Sequence, residues 1–223
     1  MKKLKIFSLT LPIVLSLALI LSAVDLAETD VPEAKLPILT TSAGQSNDVV
    51  TMNIILEEAG IKFDYCDVPT VELIEAGVGL ADKESGTGFH AEVYTDLDTF
   101  PKGTPYKTII FAIGASLKGM GASGLTVSAE ESRLRKIIDY CQKNGIFIIA
   151  THVGGASTRG APGSDNEKMI DAVAPFADFL IVTGDSNKDG RFTNIAKEKG
   201  IPLTQIEYAL DLVDIFKQVF KSQ

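Results

Sequence analysis

From residue 35 onward, short continuous apolar runs alternate with stretches whose apolar positions recur every three to four residues. The runs at 35–41, 61–65, 108–113, 145–150, 179–184 and 202–206 read as strands. Those at 108–113, 145–150 and 179–184 carry no alternation, the mark of strands covered on both faces. Pro37 limits the first run to a late start or an edge position. Helical spacing appears at 48–59 through Val49, Met52, Ile55, Leu56 and Ala59. It appears again at 130–144 through Leu134, Ile137, Ile138 and Cys141, and at 166–174, 192–199 and 208–220. Gly60, Gly145 and Gly200 stand where helices end.

Strand–helix alternation with right-handed crossovers predicts an α/β three-layer sandwich with a mostly parallel, flavodoxin-like or Rossmann-like sheet. The expected strand order is 2-1-3-4-5, with the last strand beside the fifth. Residues 107–128 organise this plan: an apolar run stops at Gly114, a loop rich in glycine follows, and Ser128 opens a helical pattern. Residues 67–106 are too long for one strand-to-helix connection. They read as an insertion after strand 2, lying over the sheet edge as a small hairpin or a lid. Within it 71–74 is a strand or a helix turn, 83–88 is a turn, and 89–94 alternates as a half-exposed strand does.

Such sheets bind ligands beyond the carboxyl ends of their strands, so the loops there are the candidate site. They hold Ser42, Gly44, Gln45 and Ser46, then Gly114, Ser116 and Lys118, then His152 and Arg159, and finally Asp185 and Asn187. The formal charge of the chain is −8, yet Lys118, Arg159, Lys188 and Arg191 fall in or beside these loops. Hydroxyls, cations and glycine-exposed N–H groups together suit a small anion: phosphate, sulfate or carboxylate. The plainer account is that tight turns simply require glycine. The acidic balance argues against nucleic acid as a partner.

The first residues read as a secretory leader. Lys2, Lys3 and Lys5 precede an uncharged stretch, 6–24, and Ser22-Ala23 offers a cleavage point. Cleavage would leave a tether, 24–34, a single domain, 35–223, and a charge of −11. Export outside the cytoplasmic membrane is the expectation, with membrane attachment only if the leader is retained. Cys66 and Cys141 belong at the top of a strand and near the bottom of a helix, so two separate buried thiols are expected rather than a disulfide.

The sequence also offers fragments of catalytic and metal-binding patterns. Ser116, His152 and Asp185 follow three neighbouring strands, which leaves a hydrolase of ester or phosphoester type using Ser116 and His152 as an alternative. Ser116 lacks the G-x-S-x-G elbow. The GDS at 184–186 resembles the nucleophile block of GDSL-type esterases but follows the fifth strand instead of the first. DSNKDG at 185–190 matches the first half of a calcium loop, but its twelfth position is Ala196 where a bidentate Glu belongs. Asp185, Asn187 and Asp189 therefore fit a turn that caps the next helix. His90 and Glu92 share a strand face without a third ligand, so no metal is implied. A third reading is an interaction scaffold, with residues 67–106 docking a protein partner above inert loops.

TTSAGQSND at 40–48 resembles the flavodoxin phosphate loop, with Thr41, Ser42, Gly44 and Ser46 where its hydroxyls and glycine would be. The aromatics that hold a flavin ring are missing from 114–124 and 151–163, and the chain has no Trp, so no cofactor is implied. Over the length that follows the leader, TTSAGQSNDV, GASLKGMGASG, HVGGASTRG and SNKDGRFT resemble a family of exported bacterial α/β domains of unknown function. The resemblance implies export and a flavodoxin-like fold, with 67–95 as an addition to shorter members. It implies no reaction and no ligand.

Overall fold

The computed structural model describes residues 31–82 and 90–221. The leader, residues 24–30 of the tether, the 83–88 turn and the first residue of the 89–94 run therefore lie outside the described residues. Seven strands form one sheet: β1 (Ile38–Ala43), β2 (Asp64–Cys66), β3 (Ala91–Val93), β4 (Thr108–Ile113), β5 (Phe147–His152), β6 (Phe179–Thr183) and β7 (Leu203–Ile206). Their order is β3-β2-β1-β4-β5-β6-β7. Every pairing is parallel except β2 with β3. The order expected from the pattern is present, with β7 on one edge and the inserted β3 on the other.

Strand alternation divides the core in two. Leu39, Phe111, Ile148 and Leu180 point to a face covered by α2 (Val71–Ala76), α4 (Val127–Asn144), α5 (Asp165–Val173) and α6 (Arg191–Lys199). Ile38, Ile110, Ile149 and Ile181 point to the face covered by α1 (Asp48–Glu58) and α7 (Leu212–Val219). Each fully buried Ile or Leu contributes roughly 1.5–3 kcal/mol, so these two layers dominate the stability. Because α1 and α4 lie on opposite faces, the chain diverges between β1 and β4. The switch point of the sheet is there.

The elements differ from the sequence reading in instructive places. Part of the glycine-rich loop is helical: α3 (Leu117–Ala122) starts where the Ser116 hydroxyl accepts the Gly119 N–H at 3.0 Å. The closing helix is shorter than 208–220, because Tyr208 to Asp211 first make a single 3-10 turn. Residues 71–74 belong to a helix, capped by the Thr70 hydroxyl. His152 is the last residue of β5 and not part of the loop beyond it.

The insertion is tied into the domain by one buried carboxylate. Asp64 on β2 accepts the Gly79 N–H at 2.8 Å, the Thr95 N–H at 3.3 Å and the Tyr106 hydroxyl at 2.5 Å. Three separated points of 67–106 thus converge on one side chain. Cys66 and Cys141 are free, buried thiols in the α4-side core. Burial pushes both up to about 12, which makes them inert.

Candidate functional site

The top loops do meet at the carboxyl end of the sheet, but most of their polar groups satisfy one another. The turn after β1 is zipped to the turn after β4. Gly44 takes φ +101°, and a Cβ there would sit 2.5 Å from the Gly114 carbonyl oxygen, so only glycine fits. The Ser116 N–H donates to the Gly44 carbonyl at 2.7 Å, and Gln45 bridges Ala115. The Gln45 amide donates to the Asp67 carbonyl at 2.8 Å. The backbone that would cradle a phosphate in the flavodoxin pattern is therefore largely taken up by β4.

Beneath this turn lies an ion pair that the sequence reading missed. Glu130 and Arg133, one turn apart on α4, are buried, with Arg133 Nη2 2.7 Å from Glu130 Oε1. Glu130 accepts the Gly44 N–H at 2.8 Å, and Arg133 donates to the Ser42 carbonyl at 2.8 Å. The Ser42 hydroxyl has no hydrogen-bond partner among the described residues.

The other predicted residues lie on the far side of β5. The His152 ring shares hydrogen bonds with the Ser186 hydroxyl at 2.8 Å and the Thr158 carbonyl at 3.3 Å, and packs against Phe192. Burial is the main reason its pKa falls to about 4, so the ring is neutral at physiological pH. Arg159 lies 2.6 Å from Glu167 and 2.8 Å from Asp189, donates to the Ser186 carbonyl, and stacks over Phe192. Arg191 pairs with Glu167 and Asp171, and Lys188 with Asp185. Asn187 caps α6: its carbonyl oxygen accepts the Phe192 N–H at 2.9 Å. Asp185 accepts the Ala156 N–H at 2.6 Å. Of the four loop cations that suggested an anion, only the exposed Lys118 lacks an acidic partner among the described residues. No group of three or more His, Cys, Asp or Glu able to hold a metal occurs among those residues.

One spot at the switch point behaves differently. Asp48, the first residue of α1, lies between two glycines. A Cβ on Gly114 would be 2.8 Å from Asp48 Oδ2, and one on Gly154 would be 2.9 Å from the same atom. The hydroxyls of Ser46 and Thr158 flank it, 2.6 Å and 2.4 Å from those two positions. Asp48 Oδ2 is buried and has no hydrogen-bond partner among the described residues, while the Asp48 N–H donates to the Ser46 hydroxyl at 3.3 Å. Burial is the larger influence on this carboxyl and raises its pKa, with the nearby Ser46 hydroxyl lowering it in part. Beside it, the Asn47 and Val49 N–H groups at the start of α1 donate to no described group, and this helix end attracts negative charge. Asp48 was passed over because an acid in a first helical turn is ordinary. Only its place between Gly114 and Gly154, distant in sequence, makes it unusual.

Fold and site together define a doubly wound α/β domain with a polar crevice at its switch point. The chain belongs to the DUF6305 family, a domain of unknown function whose family model matches residues 35–220. No curated protein sequence matches it. Among solved structures, a candidate acylhydrolase from Bacteroides fragilis aligns at 12% identity and a TM-score of 0.33. The alignment covers 79% of this chain and 71% of that one. At that score the likeness carries no weight for activity.

Proposed function

We propose that this is a small-molecule-binding domain acting outside the cytoplasm, its ligand a small anion held at the switch point. The single observation behind this reading is the Oδ2 oxygen of the half-buried Asp48, enclosed between two glycines beside the N–H groups of Asn47 and Val49, which donate to no described group. A phosphate, sulfate or carboxylate would accept from those N–H groups, with Lys118 and the Ser46 hydroxyl in reach of the same end of the sheet. An ionised Asp48 would repel it, and a protonated one would donate a hydrogen bond to it. Burial already favours the protonated form. Anion binding therefore strengthens as pH falls and takes up a proton. Export rests on the leader pattern alone.

The hydrolase alternative needs Ser116 and His152 to meet. Each is committed elsewhere, Ser116 to the start of α3 and His152 to Ser186 and Thr158. The scaffold alternative has the exposed Val93, Tyr94 and Leu97 on and just after β3 in its favour.

The test is calorimetric titration with phosphate, sulfate and acetate between about pH 4.5 and about pH 7.5, a window that lies above the ordinary aspartate value. Affinity should rise as pH falls, and Asp48→Asn should bind more tightly at neutral pH with the dependence flattened. If no anion binds at any pH, or Asp48→Asn matches the parent protein throughout, the reading is lost.

A further inference from the structure

The opposite end of the sheet holds a cavity of about 400 Å³, where β1 and β2 begin and β3 and α7 end. That volume falls in the range of small-molecule sites. Its apolar surface comes from Leu36, Ile61, Phe100 and Phe220. Lys62, Lys217 and Lys221 also line it, all three exposed and in no ion pair among the described residues, although Lys62 is near enough to Asp96 to help hold its carboxyl low. In a chain of net charge −8 this is a local reversal of sign. The one acid in the lining, Asp96, already accepts the Thr99 hydroxyl at 2.7 Å and the Asp98 N–H at 3.1 Å.

Thr95 adds an independent observation. It lines the same cavity, is 6% exposed, and its hydroxyl oxygen is buried with no hydrogen-bond partner among the described residues. A buried hydroxyl left unpaired is costly unless something else serves it. An apolar wall, three cations against a single acid and a buried hydroxyl without a partner among the described residues suit a ligand with an alkyl body and an anionic head.

We infer that this cavity binds a free amphiphilic carboxylate of medium chain length. The alkyl chain lies on Leu36, Ile61 and Phe100, and the carboxylate is held by the lysines with Thr95 beside it. A concave site with a buried polar group suits a single small molecule better than a flat lipid surface. The site is separate from the Asp48 crevice, since it lies where the strands begin and not where they end.

Octanoate titrated into the full chain tests this, with octanol and octylammonium as uncharged and oppositely charged controls. Octanoate should bind best, and Lys62→Gln, Lys217→Gln and Lys221→Gln combined should weaken it about tenfold or more. Thr95→Val, equal in shape, should weaken octanoate several-fold while leaving the melting temperature unchanged or raised. Asp48→Asn should leave octanoate affinity as it was. The inference is overturned if octylammonium binds equally well, or if the triple variant binds octanoate like the parent. It also fails if Asp48→Asn alone removes binding, or if the lysines govern only sedimentation with phosphatidylglycerol vesicles and free octanoate does not bind.

Discussion

Two polar regions share the carboxyl end of this sheet, and they are built on opposite principles. Around Arg159, between β5 and α6, charges and hydrogen-bonding groups find partners within the chain: Arg159, Glu167, Asp189, Ser186 and His152 form a connected set. Around Asp48, between β1 and β4, a carboxylate oxygen and two helix N–H groups are left without partners among the described residues. The first region has more charge and looks more like a site in the sequence. The second has the unmet chemistry. A saturated buried network stabilises a fold, whereas an unsatisfied one is explained by something else that binds.

The sharpest way to break the comparison is to remove the hub of the saturated side. Arg159→Ala leaves Glu167, which is almost fully buried, with Arg191 as its remaining ion-pair partner. Chemical denaturation should show a loss of about 3 kcal/mol, the usual cost of stripping one partner from a buried ion pair. A loss below about 0.5 kcal/mol would put Arg159 among ordinary surface charges.

A second effect, of similar size, is set by pH. His152 is a base whose folded-state pKa is depressed to about 4 from 6.5, so between those values the unfolded chain binds more protons. Its contribution is full above pH 6.5, declines as pH falls towards about 4, and is flat below. The total is up to about 3 kcal/mol at 1.36 kcal/mol per pKa unit. Denaturation midpoints measured across that window should fall on acidification, and His152→Gln should flatten the slope. A parent protein with a flat profile there would contradict the neutral, buried ring.

The smallest effect belongs to the unsatisfied side, and it sharpens the contrast. Asp48→Asn should leave stability at neutral pH within about 1 kcal/mol of the parent, because no intramolecular partner is lost at Oδ2. A slight gain is the expected direction, since burial disfavours the ionised acid. Loss comparable to that of Arg159→Ala would make Asp48 one more structural group.

Much of the fold could be read from the order of apolar runs. Continuous runs such as 108–113 and 179–184 become central strands because only two-sided coverage tolerates such apolarity. The location of the candidate site followed from that topology. Which side chains were free did not. Arg159 meets Glu167 across a turn and Asp189 from another loop, and neither pairing has a local spacing rule. Glu130 and Arg133 are polar residues on an amphipathic helix whose periodic stripe is Leu134, Ile137, Ile138 and Cys141. They are buried because the top of α4 passes under the Gly44 turn, a tertiary fact that periodicity does not encode.

The antiparallel β3 has a consequence for the molecule among its own copies. It covers the outer side of β2 with a strand of three residues, too short to offer a long row of exposed peptide groups. β2 is equally short, so this margin of the sheet offers few free peptide groups to a neighbouring chain.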